Sequence, residues 1–295
     1  MKPLIPCQVV STYKRLKDEY RAIPDGELDK VCPSKITVDA RPGFNKGQWQ
    51  LPLTAMAAKL SDGTARVKTV LLNENTGNMT AYTSVFFPDG SSKVVNSIEL
   101  TRYRCALMAA LATDGRVNLQ KGSKVGFIGS GRINLYTAKV FNILFGVEDF
   151  VIAGSKDHPM KNVEAFSAVG FTRIDCRANQ FSLLRTCDVV ISATTATAEA
   201  DIIEFDKLSG PGLFIAQDSG FIFGESFRHN CNSFSDSPSQ LFNHWRNEFP
   251  WDITINTVSL PVADLNTTGC DGRPSAVYLY GIALADVVVA AEAWE

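Results

Sequence analysis

Apolar and polar residues alternate along this chain in two rhythms. In the first third the signals are mixed. Residues 9–20, VVSTYKRLKDEY, space their apolar side chains as an amphipathic helix does. Residues 65–73 (ARVKTVLLN) and 79–87 (MTAYTSVFF) are rich in β-formers, are separated by the turn-formers of NENTGN, and are followed by PDGSS, a pattern that predicts antiparallel strands. Residues 97–115, SIELTRYRCALMAALATDG, predict a helix with a capping region at Ser97 to Glu99 and a stop at Gly115.

From residue 124 the rhythm changes. Short apolar runs at 124–130 (KVGFIGS), 149–155 (DFVIAGS), 172–176 (TRIDC), 187–194 (CDVVISAT) and 212–218 (GLFIAQD) alternate with helical or polar stretches. Two of those helices, 133–145 and 160–169, run into glycines, Gly146 and Gly170. Buried strands alternating with helices predict a parallel sheet covered on both faces. Residues 236–249 predict another helix, with Asp236 or Ser237 as cap, and residues 275–294 a long apolar helix buried against the first domain or a second subunit. The fold class expected is α/β.

Bulk properties narrow the function. The 295 residues are 45% hydrophobic and 20% charged, with a formal net charge of -2, which gives no electrostatic case for nucleic acid or an acidic membrane. No apolar run approaches the roughly 18 residues of a membrane span, and the N-terminus lacks the sustained apolar stretch of a signal peptide. Cys7, Cys32, Cys105, Cys176, Cys187, Cys231 and Cys270 are odd in number, widely spaced and without a CxxC pair. They argue against a disulfide framework and a zinc site, and for a reducing, cytoplasmic setting. His158, His229 and His244 lie far apart, so no metal is expected.

The chemistry concentrates first at KVGFIGSGRINLYTAKVF (124–141). Gly129-Ser130-Gly131 follows a strand and opens a helix. The first glycine permits a tight turn, the second lets backbone approach a pyrophosphate, and the helix offers unpaired N–H groups. Asn134 stands at the third position, where close packing favours glycine. The context, the start of a βαβ series, predicts nucleotide binding. An NAD site usually ends its second strand with a carboxylate for the ribose; here Ser155 and Lys156 stand there, suited to a 2′-phosphate, so NADP(H) is favoured with NAD(H) possible.

Six segments in order resemble the ornithine cyclodeaminase/mu-crystallin family: 97–112, the glycine turn at 124–138, CDVVISATTATAEADI (187–202), PGLFIAQDSG (211–220), FSDSPSQ (234–240) and GRPSAVYLYGIALADVVVA (272–290). The resemblance implies a Rossmann-type parallel-sheet domain, 116–270, and an α+β substrate-binding and dimerisation domain, 1–115, to which 271–295 returns as a completing helix. It places the cofactor on Gly129, Ser130, Gly131, Arg132, Ile133, Ser155, Lys156, Ala193, Thr194 and Thr195. It makes Arg104 the clamp of a substrate carboxylate, a role that suits a guanidinium fork. Lys68 would neutralise the carboxylate or move a proton at nitrogen. Arg41 and Thr83 join them as substrate-binding candidates.

The chain also departs from the family. Ile133 replaces a glutamine in the turn, and Cys105, more suited to packing than to nucleophilic attack, replaces a threonine after the clamp arginine. Ungapped counting puts Phe221 at the family's catalytic aspartate; Asp218, three residues earlier, is the substitute candidate. A missing base weakens hydrolytic loss of ammonia more than hydride transfer. The expectation is therefore an NAD(P)-dependent oxidoreductase, in a homodimer, acting at the α-carbon of an amino acid or its imine. A cyclodeaminase-type lyase and a catalytically silent NADPH-binding protein are the alternatives.

Overall fold

A computed structural model describes residues 5–24, 27–33, 36–38, 53–73, 78–153, 163–167, 173–177, 182–194, 202–205, 210–218, 220, 222–238, 240, 258–259 and 272–292. The chain divides into two compact units, residues 1–104 with 281–295 and residues 105–280, so the division falls inside one helix.

The first unit begins with α1 (Pro6–Arg21), which carries proline in its first turn where no N–H is missed, and α2 (Leu28–Val31). Five strands follow in sheet order β1 (Ile36–Val38), β2 (Leu53–Lys59), β3 (Ala65–Asn73), β4 (Asn78–Phe86) and β5 (Ser92–Asn96), each antiparallel to the last. The two strands predicted from β-formers and flanking turns are β3 and β4. β2, rich in alanine, a weak strand former, and the short polar-flanked β5 had not been singled out. The helix α3 (Ile98–Thr113) comes next. Its start corrects the expected cap: the Asn96 side chain, not Ser97, accepts from the N–H of Ile98, and Ser97 is buried with a hydroxyl that makes no hydrogen bond. Gly115, at φ 77, lies just past the helix in the left-handed region that glycine tolerates.

The second unit is a parallel sheet. Its strands are β6 (Lys124–Ile128), β7 (Asp149–Ala153), β8 (Arg173–Arg177), β9 (Val189–Ser192), β10 (Leu213–Ala216), β11 (Asn232–Ser235), β12 (Val258–Ser259) and β13 (Ser275–Tyr278), in spatial order β12-β11-β13-β10-β9-β6-β7-β8. Helices α4 (Arg132–Phe145), α5 (Val163–Ser167), α6 (Leu183–Thr186) and α7 (Glu225–Asn230) lie between them in sequence. Nearly every residue of β6, β7, β9, β10 and β13 is buried, as a sheet covered on both faces requires. β6 pairs with β7 on one side and β9 on the other. Strand order therefore reverses at β6, the place where Rossmann-type sheets bind ligands at their carboxyl ends.

The predicted C-terminal helix needs correction. Residues 275–278 form β13, inserted between β10 and β11, and the helix, α8 (Ala283–Glu292), starts only after Gly281 at φ 91. An apolar run buried on all sides reads the same as helix or strand, because neither period shows. α8 packs within the first unit against α1 and β2 to β4, and is buried from Ala283 through Ala291. Most of the predicted helix at 236–249 lies outside the described residues.

Candidate active site

The first unit buries a cluster of charge. Arg66 and Lys68 alternate on β3 and so point to one face, where the register sets Lys68 opposite Thr83. Arg66, Lys68, Thr83, Arg104 from α3 and Asp286 from α8 are all buried. One oxygen of Asp286, Oδ1, stands 3.3 Å from Lys68 Nζ, 3.6 Å from Arg66 Nη2 and 3.7 Å from Arg104 Nε. Lys68 Nζ also donates to Thr101 Oγ1 at 2.6 Å, and Arg66 Nη2 donates to Thr83 Oγ1 at 2.7 Å. A Cβ on Gly281 would stand 2.4 Å from Arg104 Nη1, so the chain entering α8 leaves room for the guanidinium.

Burial pushes the Asp286 carboxyl up, but Lys68, Arg66 and Arg104 outweigh it and hold it well below the usual carboxylate range. Burial pushes the Arg66 guanidinium down to about 10, Asp286 opposing and Arg104 assisting. An oxygen that gathers three cations marks a place where carboxylate is well received.

The second unit supplies the glycine turn. Gly129 has φ 94, and a Cβ there would stand 2.7 Å from the Ala193 carbonyl oxygen. Gly131 starts α4 with no side-chain cap, and no acidic residue lies in the helix's own first turn. Among the described residues, a Cβ on Gly131 would meet only the Ala193 oxygen, at 3.9 Å. Asn134 is fully buried and donates through Nδ2 to the carbonyls of Ile128 (3.1 Å) and Gly129 (2.7 Å). The missing third glycine is thus replaced by a side chain that ties the turn from within the helix. These features fit a dinucleotide phosphate.

Asp218 follows β10 and accepts two backbone N–H groups, Thr194 at 3.0 Å on Oδ2 and Gly220 at 2.8 Å on Oδ1. Burial pushes its pKa up, against the pull of those N–H groups. Gln217 accepts from Thr137 Oγ1 at 3.2 Å and donates to the Cys105 carbonyl at 3.0 Å, joining α4 to the buried α3. Cys105 itself is buried. Arg132 is exposed and Ile133 half-buried in the first turn of α4. Arg41, Ser155, Lys156, Thr195 and Phe221 lie outside the described residues.

Among the described residues no group of three or more His, Cys, Asp or Glu could hold a metal, and no helix is long and apolar enough to cross a membrane. No protein-family model and no curated protein sequence matches the chain. Solved structures do. A probable ornithine cyclodeaminase from Bordetella pertussis Tohama I superposes with a TM-score of 0.72 at 16% identity, over 99% of this chain and 93% of that one. The Thermococcus litoralis Δ1-pyrroline-2-carboxylate reductase, solved with NADH and L-proline, gives 0.67 at 15% identity, over 99% and 93%. The iminosuccinate reductase of Paracoccus denitrificans, solved with NAD+, gives 0.67 at 13%, over 98% and 91%. This is the ornithine cyclodeaminase/mu-crystallin fold. On that fold, sequence reasoning had singled out Lys68, Arg104 and Thr83, but passed over Arg66 and Asp286. Both carried a signal: Arg66 shares the period-two face of Lys68, and Asp286 is the lone charge in the apolar run 282–291.

Proposed function

We propose that the protein is an NAD(P)-dependent oxidoreductase that interconverts an amino acid, or an N-substituted amino acid, with its imine. The observation that carries the reading is the convergence of Lys68, Arg66 and Arg104 on a single buried carboxylate oxygen, on a fold whose solved relatives include enzymes bound to NADH or NAD+. In this reading the first unit is the substrate unit and the second the dinucleotide unit.

Arg104 and Lys68, with Arg41, hold the substrate carboxylate and so fix the α-carbon. The Lys68 ammonium hands a proton to the imine nitrogen or takes one from the amine. Gly129 to Ile133 and Ala193 to Thr195 receive the cofactor phosphates, and Ser155 and Lys156 favour the 2′-phosphate of NADP(H). The nicotinamide supplies the hydride when bound. Asp218 commits both oxygens to backbone N–H groups, which suits a holder of the loop after β9 better than a general base. That favours redox chemistry over the cyclodeaminase-type lyase, and over a silent binding protein the retained Lys68 and Arg104 favour catalysis.

The test is NAD(P)H oxidation by the purified protein with three substrate classes: cyclic ketimines, 2-oxo acids with ammonia, and precursors of opine-like secondary amines. Turnover in one class, lost in Lys68→Met, is expected. Ammonia release from ornithine or lysine without net cofactor change would overturn the redox reading.

A further inference from the structure

We propose that the substrate is a dicarboxylate, a 2-imino acid with a second carboxylate on its side chain, and that Arg66 is the residue that selects it. The inference rests on the oxidoreductase reading above and names the substrate class of that same site.

A carboxylate clamp of Lys68 and Arg104, with Arg41, has no need of a further buried cation. Arg66 is nonetheless there, its side chain fully buried, two residues from Lys68 on the same face of β3. Its Nη2 is used by Thr83, while its Nε and Nη1 make no hydrogen bond. A buried guanidinium with open N–H groups is costly unless an acceptor completes it. The carboxylate within 4 Å of it, that of Asp286, is shared through one oxygen with Lys68 and Arg104, and its other oxygen, Oδ2, makes no hydrogen bond.

Three positive groups around one negative group give these four side chains a formal charge of +2. Such a cluster in a low-dielectric interior draws in anions. One carboxylate, as in a simple 2-oxo acid or a cyclic imino acid, brings a single negative charge. Two carboxylates bring the pair the cluster lacks, and the second finds donors waiting on Arg66. The reaction is unchanged: the hydride of NAD(P)H goes to the α-carbon, the imine π pair takes a proton from the Lys68 ammonium at nitrogen, the medium reprotonates Lys68, and a 2-amino dicarboxylate and NAD(P)+ result.

The test compares NAD(P)H oxidation with ammonia plus oxaloacetate or 2-oxoglutarate against ammonia plus pyruvate and against Δ1-pyrroline-2-carboxylate. The dicarboxylates are expected to lead by about tenfold or more in kcat/KM, and Arg66→Gln to shrink that lead about tenfold, chiefly through KM. Equal or better turnover of the monocarboxylates, or an unchanged ratio in Arg66→Gln, would overturn the assignment. Should no substrate consume cofactor, the oxidoreductase reading falls by itself. The anion site is then decided by thermal shift of the unmodified protein: more stabilisation by succinate than by acetate at equal ionic strength supports it, and equal stabilisation overturns it. The same comparison stands if Arg66→Gln does not fold.

Discussion

Asp286 is the residue on which the first unit's charge depends. It is buried among Arg66, Lys68 and Arg104, and removing its charge leaves three cations repelling one another in the interior. Asp286→Asn is therefore expected to cost about 3–5 kcal/mol at neutral pH by chemical denaturation. The pH dependence has a definite sign. Because the folded carboxyl is held below its ordinary value of 3.8, the unfolded chain takes up the proton first as pH falls. The stability Asp286 contributes is complete above that value and is lost as pH falls through the folded one. The gap between wild type and Asp286→Asn should thus narrow on acidification below about pH 4. An equal gap at pH 7 and pH 3 would mean that the carboxylate is not what holds the cluster.

At the scale of elements, the turn from β6 into α4 separates two uses of glycine. Gly129 is needed for the backbone itself: φ 94 strains any other residue, and the Ala193 oxygen leaves no room for a Cβ. Gly129→Ala is expected to lose about 1–3 kcal/mol of stability. Gly131 is in extended backbone, and among the described residues nothing stands nearer than 3.9 Å to a Cβ there, so Gly131→Ala should keep its Tm and lose NAD(P)H affinity, measured by fluorescence titration. Unchanged affinity in Gly131→Ala would remove the phosphate turn.

These elements also show how far a sequence can be read. β6, β7, β9 and β10 were legible because both faces are buried and each forms one short apolar run. β3 and β4 were legible for another reason: both are rich in β-formers and are bounded by the turn-formers of NENTGN and PDGSS. β13 was not, since SAVYLYG joins directly to the apolar run of α8 and only Gly281 marks the break. β11, NSFS, was hidden because its serines are buried by neighbouring strands rather than by their own hydrophobicity. In the site, Lys68 and Arg104 were visible through family resemblance. Arg66 and Asp286 left fainter marks, a shared strand face and a lone charge in an apolar run, and their convergence shows when β3, α3 and α8 are folded together. Asn134 departs from the glycine expected at its position, and the role of its amide, donating to the Gly129 carbonyl, is visible only in the fold.

For the whole molecule, the open face of the antiparallel sheet is the feature still to be covered. Val67, Tyr82, Phe86 and Val94 are 38%, 45%, 47% and 67% exposed, and Val67 and Val94 flank Ser84 in register across three strands. Adjacent apolar side chains on an exposed sheet suit a second copy of the chain. A dimer is expected in sedimentation at micromolar concentration, and Phe86→Asp with Val94→Asp should yield a monomer that remains folded. A monomeric wild-type protein would contradict this.

The central claim is hydride transfer at the α-carbon of an acid held by Lys68 and Arg104, and it is tested most directly by isotope. NAD(P)H deuterated at nicotinamide C4, incubated with the imine and the protein, should deliver one deuterium to the α-carbon of the amino acid product, seen by mass spectrometry and absent in Arg104→Met. Product without deuterium at that carbon, or deuterium retained wholly in the cofactor, would contradict the account.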